Sequence, residues 1–205
     1  MIIKELKPSG RVAGRWLAVL EDGSILRIGE GEVLNFALCS GKELTGGEAE
    51  ALQSAARRSS LRERAIAALS RRPQSRRELE RRLAQWEASE EDTAVICDRM
   101  EELGYLNDAY YACQVVRHYS AKGFGEKKLR DELYRRGIPR ELWDDALGEA
   151  SDPGAAIGAF LEKKLAGRCP DREECRKLSA ALARRGFRWE DVSDALRRYG
   201  SGEDD

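Results

Sequence analysis

The sequence predicts a mainly α-helical protein: an elongated, curved array of three tandem three-helix units with a small N-terminal β-hairpin. Three observations predict it. The first is a helical unit that recurs at an offset of about 50 residues. In the middle copy, Leu129 and Leu133 lead into Arg135-Arg136-Gly137-Ile138 and then Glu141 to Leu147. At an offset of 49, Leu178 and Leu182 lead into Arg184-Arg185-Gly186-Phe187 and Glu190 to Leu196. Earlier in the chain stand Leu79, Leu83 and Ile96-Cys97, with Glu87 in the place of the glycine. The second observation is that capping signals open the units. The third is composition: 36% charged and 7% aromatic residues describe a thin core under much solvated surface. A repeat of this length cannot bury its own apolar stripe, so stacked copies build a long contact face.

The elements follow in order. Residues 1–44 read as the hairpin and a short helix. Trp16 to Leu20 and Ser24 to Ile28 flank Asp22-Gly23, a turn signal between two β-prone runs, and Ile2 to Leu6 adds a third strand. Glu32 to Cys39 is the short helix, stopped by Ser40-Gly41. The first unit is expected over 45–107. Thr45 and Glu48 form a capping box for a helix running to about Arg71, which Pro73 ends. Ser75 with Glu78 opens the helix carrying Leu79, Leu83 and Trp86; Ser89 caps the next, which Gly104 closes. The second unit, 108–150, holds Ala109 to Ser120, Glu126 to Arg136 and Pro139 to Gly148. Asp152-Pro153 starts the third, 151–199, with helices over Pro153 to Ala166, Asp171 to Arg185 and Trp189 to Tyr199. A disordered acidic tail is expected at 200–205.

Composition also narrows function. The five cysteines show no CxxC pair; Cys97 and Cys175 occupy apolar repeat positions, where a thiol acts as a small hydrophobe. One histidine, His118, leaves little for a zinc site or a histidine-based triad. Gly123-Phe124-Gly125 lacks the lysine of a phosphate loop and reads as a joint. No enzyme, cofactor or metal is therefore expected. No apolar run is long enough for a membrane span and the N-terminus lacks a signal-peptide shape, so a cytoplasmic monomer is expected. The net charge of −1 hides an asymmetry. Ten arginines face four glutamates from Arg57 to Glu87, whereas seven acids face Arg99 alone from Ser89 to Asp108. Such a pattern suits an electrostatically matched partner, although charge runs on helices also serve as solvated faces.

Gly104-Tyr105-Leu106-Asn107-Asp108, with Tyr111-Ala112 behind it, resembles the signature of the RecX family of recombination regulators. Ala68-Leu69-Ser70-Arg71-Arg72-Pro73-Gln74-Ser75, followed by Glu78-Leu79 and Leu83, is similar to that family's opening motif. Arg117, Lys122, Gly125, Lys128-Leu129, Leu133 and Gly137-Ile138 match its second unit. The match is good over roughly residues 60–150 and rests on repeat shape beyond. The resemblance implies a curved helical array that lies in the groove of the RecA–DNA filament and inhibits strand exchange, ATP hydrolysis and coprotease activity. Two positions depart from the pattern. Gln74 stands where an arginine is common, which removes a candidate contact to an acidic surface, and Asn107 replaces a usual Asp while keeping its capping ability.

The candidate partner-binding residues are mostly basic, and the partner expected is the RecA filament or DNA phosphate. They comprise Arg71, Arg72, Arg76, Arg77, Arg81 and Arg82 of the arginine sector, then Arg117, Lys122, Lys127 and Lys128. The recurring pairs Arg135-Arg136 and Arg184-Arg185 complete the cations, and Tyr105 is the aromatic candidate. Arginine forms bidentate pairs with carboxylate or phosphate, and a recurring cation suits a polymer that itself repeats. Duplication of a solvated surface would give the same recurrence. For Tyr105 and Leu106 the structural reading is burial at the joint. The alternative function is a helical module binding single- or double-stranded DNA weakly and without sequence preference. Near-neutral charge and the lack of an aromatic stacking series speak against tight binding of that kind.

Overall fold

The computed structural model describes residues 1–200; the acidic end expected beyond Gly200 lies outside them. Three strands, β1 (Ile3–Pro8), β2 (Arg15–Leu20) and β3 (Ile25–Gly29), form an antiparallel sheet in the order β1-β2-β3. Ile3 pairs with Leu20 and Pro8 with Trp16 on one side; Arg15 pairs with Gly29 and Val19 with Ile25 on the other. The hairpin turns at Gly23, whose φ of +83° suits glycine, and the Asp22 carboxylate accepts from the Ser24 amide at 2.9 Å.

The short helix sits earlier than the sequence suggests, as α1 (Glu30–Asn35). The Glu32 carboxylate accepts from the Gly29 amide at 2.7 Å and fixes the start. The stop comes at Ala37, left-handed at φ +43°, rather than at Ser40-Gly41. Helix α2 (Gly46–Arg71) begins where expected: Thr45 Oγ1 accepts from the Glu48 amide and Glu48 accepts from the Thr45 amide at 2.9 Å. The sheet buries Ile3, Ala18, Leu20 and Ile28 with Leu52 and Ala56 of α2, which supplies the support a lone hairpin lacks.

The chain divides into two compact bodies, and the division crosses helix α3 (Arg76–Gln85). The first body holds Met1–Arg72 and Leu79–Tyr105; the second holds Pro73–Glu78 and the chain from Leu106 onward. In the first, helix α4 (Glu90–Glu102), capped by Ser89, packs on α2, and Leu79, Leu83, Ile96, Cys97 and Met100 are buried. The second body contains α5 (Asp108–Ala121), α6 (Glu126–Arg136) and a 3-10 turn at Arg140–Leu142 that runs into α7 (Trp143–Leu147). The single helix expected from Pro139 to Gly148 is thus two pieces. Trp143 is buried and its indole N–H donates to the Ile138 carbonyl at 3.0 Å. Helices α8 (Pro153–Leu165), α9 (Arg172–Arg184) and α10 (Trp189–Gly200) follow. Val115, Val116, Leu129, Leu133 and Trp143 form one core of this body; Ile157, Leu161, Leu178, Leu182, Phe187 and Val192 form another.

Glu87 accounts for the broken glycine repeat. Its φ is +61°, against +67° at Gly137 and +89° at Gly186, so all three units turn through a left-handed residue at the same point. The backbone path repeats even where the side chain does not.

Candidate partner-binding surface

The recurring Arg-Arg-Gly sequence belongs to a joint that is built twice within the second body. At the first joint, Ser75 Oγ donates to the Arg136 carbonyl at 2.5 Å, at the C-terminal end of α6. The Arg76 amide donates to Asp108 Oδ1 at 2.8 Å, so Asp108 caps the start of α3 while Asn107 caps α5. At the second, the Gly125 amide donates to the Arg185 carbonyl at 2.9 Å and the Lys127 amide to the Gly186 carbonyl at 3.1 Å. A methyl on Gly137 would meet the Arg77 side chain at 2.5 Å, and one on Gly186 would meet the Lys128 backbone nitrogen at 2.5 Å. Each start of a unit's second helix therefore seats on the end of the next unit's second helix. Glycine is required there by close approach and by positive φ together.

The same joint sorts the arginine pairs. Arg136 and Arg185 point into the fold. Arg136 donates to Glu132 Oε2 at 2.5 Å and to Tyr119 Oη at 3.3 Å, and its guanidinium lies 5.3 Å from the Tyr119 ring centre. Burial works against its charge, but the bonds to Glu132, Tyr119 and Tyr111 outweigh that and raise its pKa. Arg185 donates to the Gly123 carbonyl at 3.2 Å and stacks near Phe124 and Phe160. Arg135 and Arg184, one residue earlier, are exposed.

Glu132 is a carboxylate that sequence reasoning passed over. It is 4% exposed and receives Arg136, Arg135 at 3.2 Å and Lys128 at 3.3 Å. Burial pushes its pKa up, but hydrogen bonds from Arg136 and Lys128 prevail and hold it below the usual glutamate range. Its spacing to Lys128 and Arg136, four residues each way, was the available signal. An open groove in this body, about 450 Å³, brings Lys122 and Arg185 together with Lys163 and Phe160. Lys163 and Phe160 carry no motif and were not singled out.

In the arginine sector, part of the charge is used internally. Arg58 Nε pairs with Asp92 Oδ1 at 2.6 Å, Arg15 reaches Glu63, and the Arg64 guanidinium lies 4.2 Å from the Trp86 ring centre. Of the candidates on the first body, Arg71, Arg72 and Arg81 are exposed and Arg82 half-buried. On the second, Arg77 is exposed and Arg76 half-buried. Arg117 and Lys127 are exposed, with Arg117 on Glu149 at 2.9 Å, and Lys128 is half-buried. Two readings change. Leu106 is buried at 3% but Tyr105 is 47% exposed, so only one of the pair is a joint residue. Gln74 is 2% exposed, so its side chain replaces no surface contact. His118 is exposed, with its ring edge-on to Tyr119 at 5.3 Å. Among the described residues no cluster of three or more His, Cys, Asp or Glu could hold a metal ion, and no helix is long and apolar enough to cross a membrane.

Three family models match in tandem: RecX first three-helix domain over 62–100, second over 107–147 and third over 155–196. The regulatory protein RecX of Pseudomonas putida is 35% identical over 146 residues, covering 70% of this chain and 91% of that protein. Its counterpart in Chromohalobacter salexigens is 38% identical over 136 residues, covering 66% and 90%. Among solved structures, a regulatory protein RecX superposes with a TM-score of 0.75 at 21% identity, over 96% of this chain and 98% of that one, a likeness of fold. RecX from Lactobacillus salivarius gives 0.64 at 25% identity, over 70% and 96%.

Proposed function

This chain belongs to the RecX family of regulatory proteins, and from that premise we propose that it binds the RecA recombinase–DNA filament and lowers its recombinase, ATPase and coprotease activities. It acts as a monomer in the cytoplasm, by contact rather than catalysis. The observation that carries this reading is the division of labour within the repeated Arg-Arg-Gly joint. The second arginine of each pair holds the fold, leaving Arg135 and Arg184 exposed at equivalent points of consecutive units. A filament offers its own groups at regular intervals, and cations set by a repeated joint can meet them in register. Arg71, Arg72, Arg76, Arg77, Arg81 and Arg82 add charge from α2 and α3, and Arg117, Lys122, Lys127, Lys128 and Tyr105 complete the proposed contact set. Sharing their charge with nearby acids does not disqualify them, because a partner's carboxylate or phosphate can exchange for an exposed internal ion pair at little cost.

The test is RecA's DNA-dependent ATP hydrolysis, measured with increasing amounts of this protein, alongside co-sedimentation with preformed RecA–DNA filaments. Hydrolysis should fall and the protein should pellet with the filament. Unchanged hydrolysis at a molar excess would reject the proposal. Tight, salt-sensitive binding to bare single-stranded DNA without any effect on RecA would favour the plain nucleic-acid-binding module instead.

A further inference from the structure

The second body carries a partly open pocket of about 220 Å³ that no part of the proposed filament contact uses. Its apolar lining includes Phe124, Leu129, Leu147 and Phe187. Here Ala150 and Ala156 leave the space open where larger side chains would fill it. By volume alone, roughly 150 Å³ already accepts a benzene ring, so this pocket has room for a ring of indole size.

The polar part of the wall narrows the choice. Glu126 is occupied by Arg130 at 2.8 Å and Arg188 at 2.5 Å, and Ser120 Oγ by the Arg117 carbonyl at 3.2 Å. Asp191, in the first turn of α10, is half-buried, and its carboxylate has no hydrogen bond or ion pair among the described residues. It is an acceptor on a lining that also includes two aromatic rings, Phe124 and Phe187. We propose that this cavity binds one flat aromatic ring of phenol-to-indole size whose single N–H or O–H donates to Asp191. The ring would pack against the two phenylalanines that line the pocket. The ring can come from a free small molecule or from a tyrosine or tryptophan side chain of another protein, and the chemistry is the same.

The test titrates the full chain with indole by calorimetry and by thermal shift, without RecA or DNA, so its outcome is separate from that of the filament proposal. Saturable one-to-one binding with a rise in Tm is expected. 1-Methylindole, which lacks the donor, should bind about tenfold more weakly, and Asp191→Asn should weaken indole without changing 1-methylindole. Ala156→Leu fills the cavity and should weaken indole about tenfold or more while leaving the circular dichroism spectrum unchanged; Ala150→Leu serves if that variant does not fold. N-Acetyltryptophanamide binding as well as indole assigns the ring to a partner's side chain; its exclusion assigns it to a free molecule. No saturable binding by wild type up to the solubility of indole, or equal binding by the filled variant, overturns the proposal.

Discussion

Glu132 shows how one buried side chain can govern several exposed ones. A carboxylate at 4% exposure keeps its charge only because Lys128, Arg135 and Arg136 surround it. Removing it would leave half-buried cations without their counter-charge, so Glu132→Ala should lower stability by about 3 kcal/mol in urea unfolding. The pH response follows from the same group together with Glu126. The Glu126 carboxyl is held below its ordinary range chiefly by the hydrogen bond from Arg130, against the push of burial, with Arg188 adding to the pull. A carboxyl whose folded pKa is depressed contributes stability above its unfolded pKa and loses it as pH falls through the folded value. Stability should therefore decline below about pH 5, and the double variant Glu126→Gln, Glu132→Gln should show a flatter decline over the same acid range while being less stable at neutrality. Glu87 makes the opposite case. Holding a non-glycine residue at φ +61° costs about 1–2 kcal/mol, partly offset by the entropy glycine would lose. Glu87→Gly should stabilise the protein by about 0.5–1 kcal/mol, read as a higher Tm.

At the level of elements, the joints between second helices are what make the repeat a structure. Gly125 and Gly186 approach so closely that a methyl on either would lie 2.5 Å from backbone atoms of the other's segment. Backbone cannot swing away as a flexible side-chain end can. Gly186→Ala adds a left-handed penalty to that clash and should cost at least about 2 kcal/mol. Gly104→Ala is the control: φ is +74° but the space around it is open, so only the conformational penalty of about 1 kcal/mol applies. If both variants melt together, close approach at the joint is not what glycine provides.

For the whole molecule, the cations fall into two structural sets, exposed and engaged, despite their uniform appearance in the chain. Arg71→Glu with Arg184→Glu changes exposed groups and should leave Tm within a few degrees while weakening co-sedimentation with RecA filaments, more so at low salt. Arg136→Ala and Arg185→Ala should instead lower Tm, because each ties a helix end to aromatic and carbonyl partners. Equal loss of filament binding in both sets without any difference in Tm would contradict this assignment.

The helices, the capping boxes at Thr45 and Ser75, the Asp22-Gly23 hairpin and the leucine core were legible because each is written in local spacing. Periodicity and caps act over four or five residues, and the repeat restates them at each unit. The early start of α1 and the split before Trp143 were less so, since a glutamate's reach back to Gly29 and an indole bond to Ile138 decided them. For the proposed surface, sequence supplied the cations but not their division into exposed and engaged. Arg135 and Arg136 are neighbours with the same side chain; what separates them is about a hundred degrees of helical rotation and which neighbour waits there. The chain alone therefore determined a repeated helical protein with a basic sector. Only the tertiary structure decided which guanidinium groups face outward, because that choice belongs to contacts such as Arg185 with the Gly123 carbonyl, made between residues far apart in sequence.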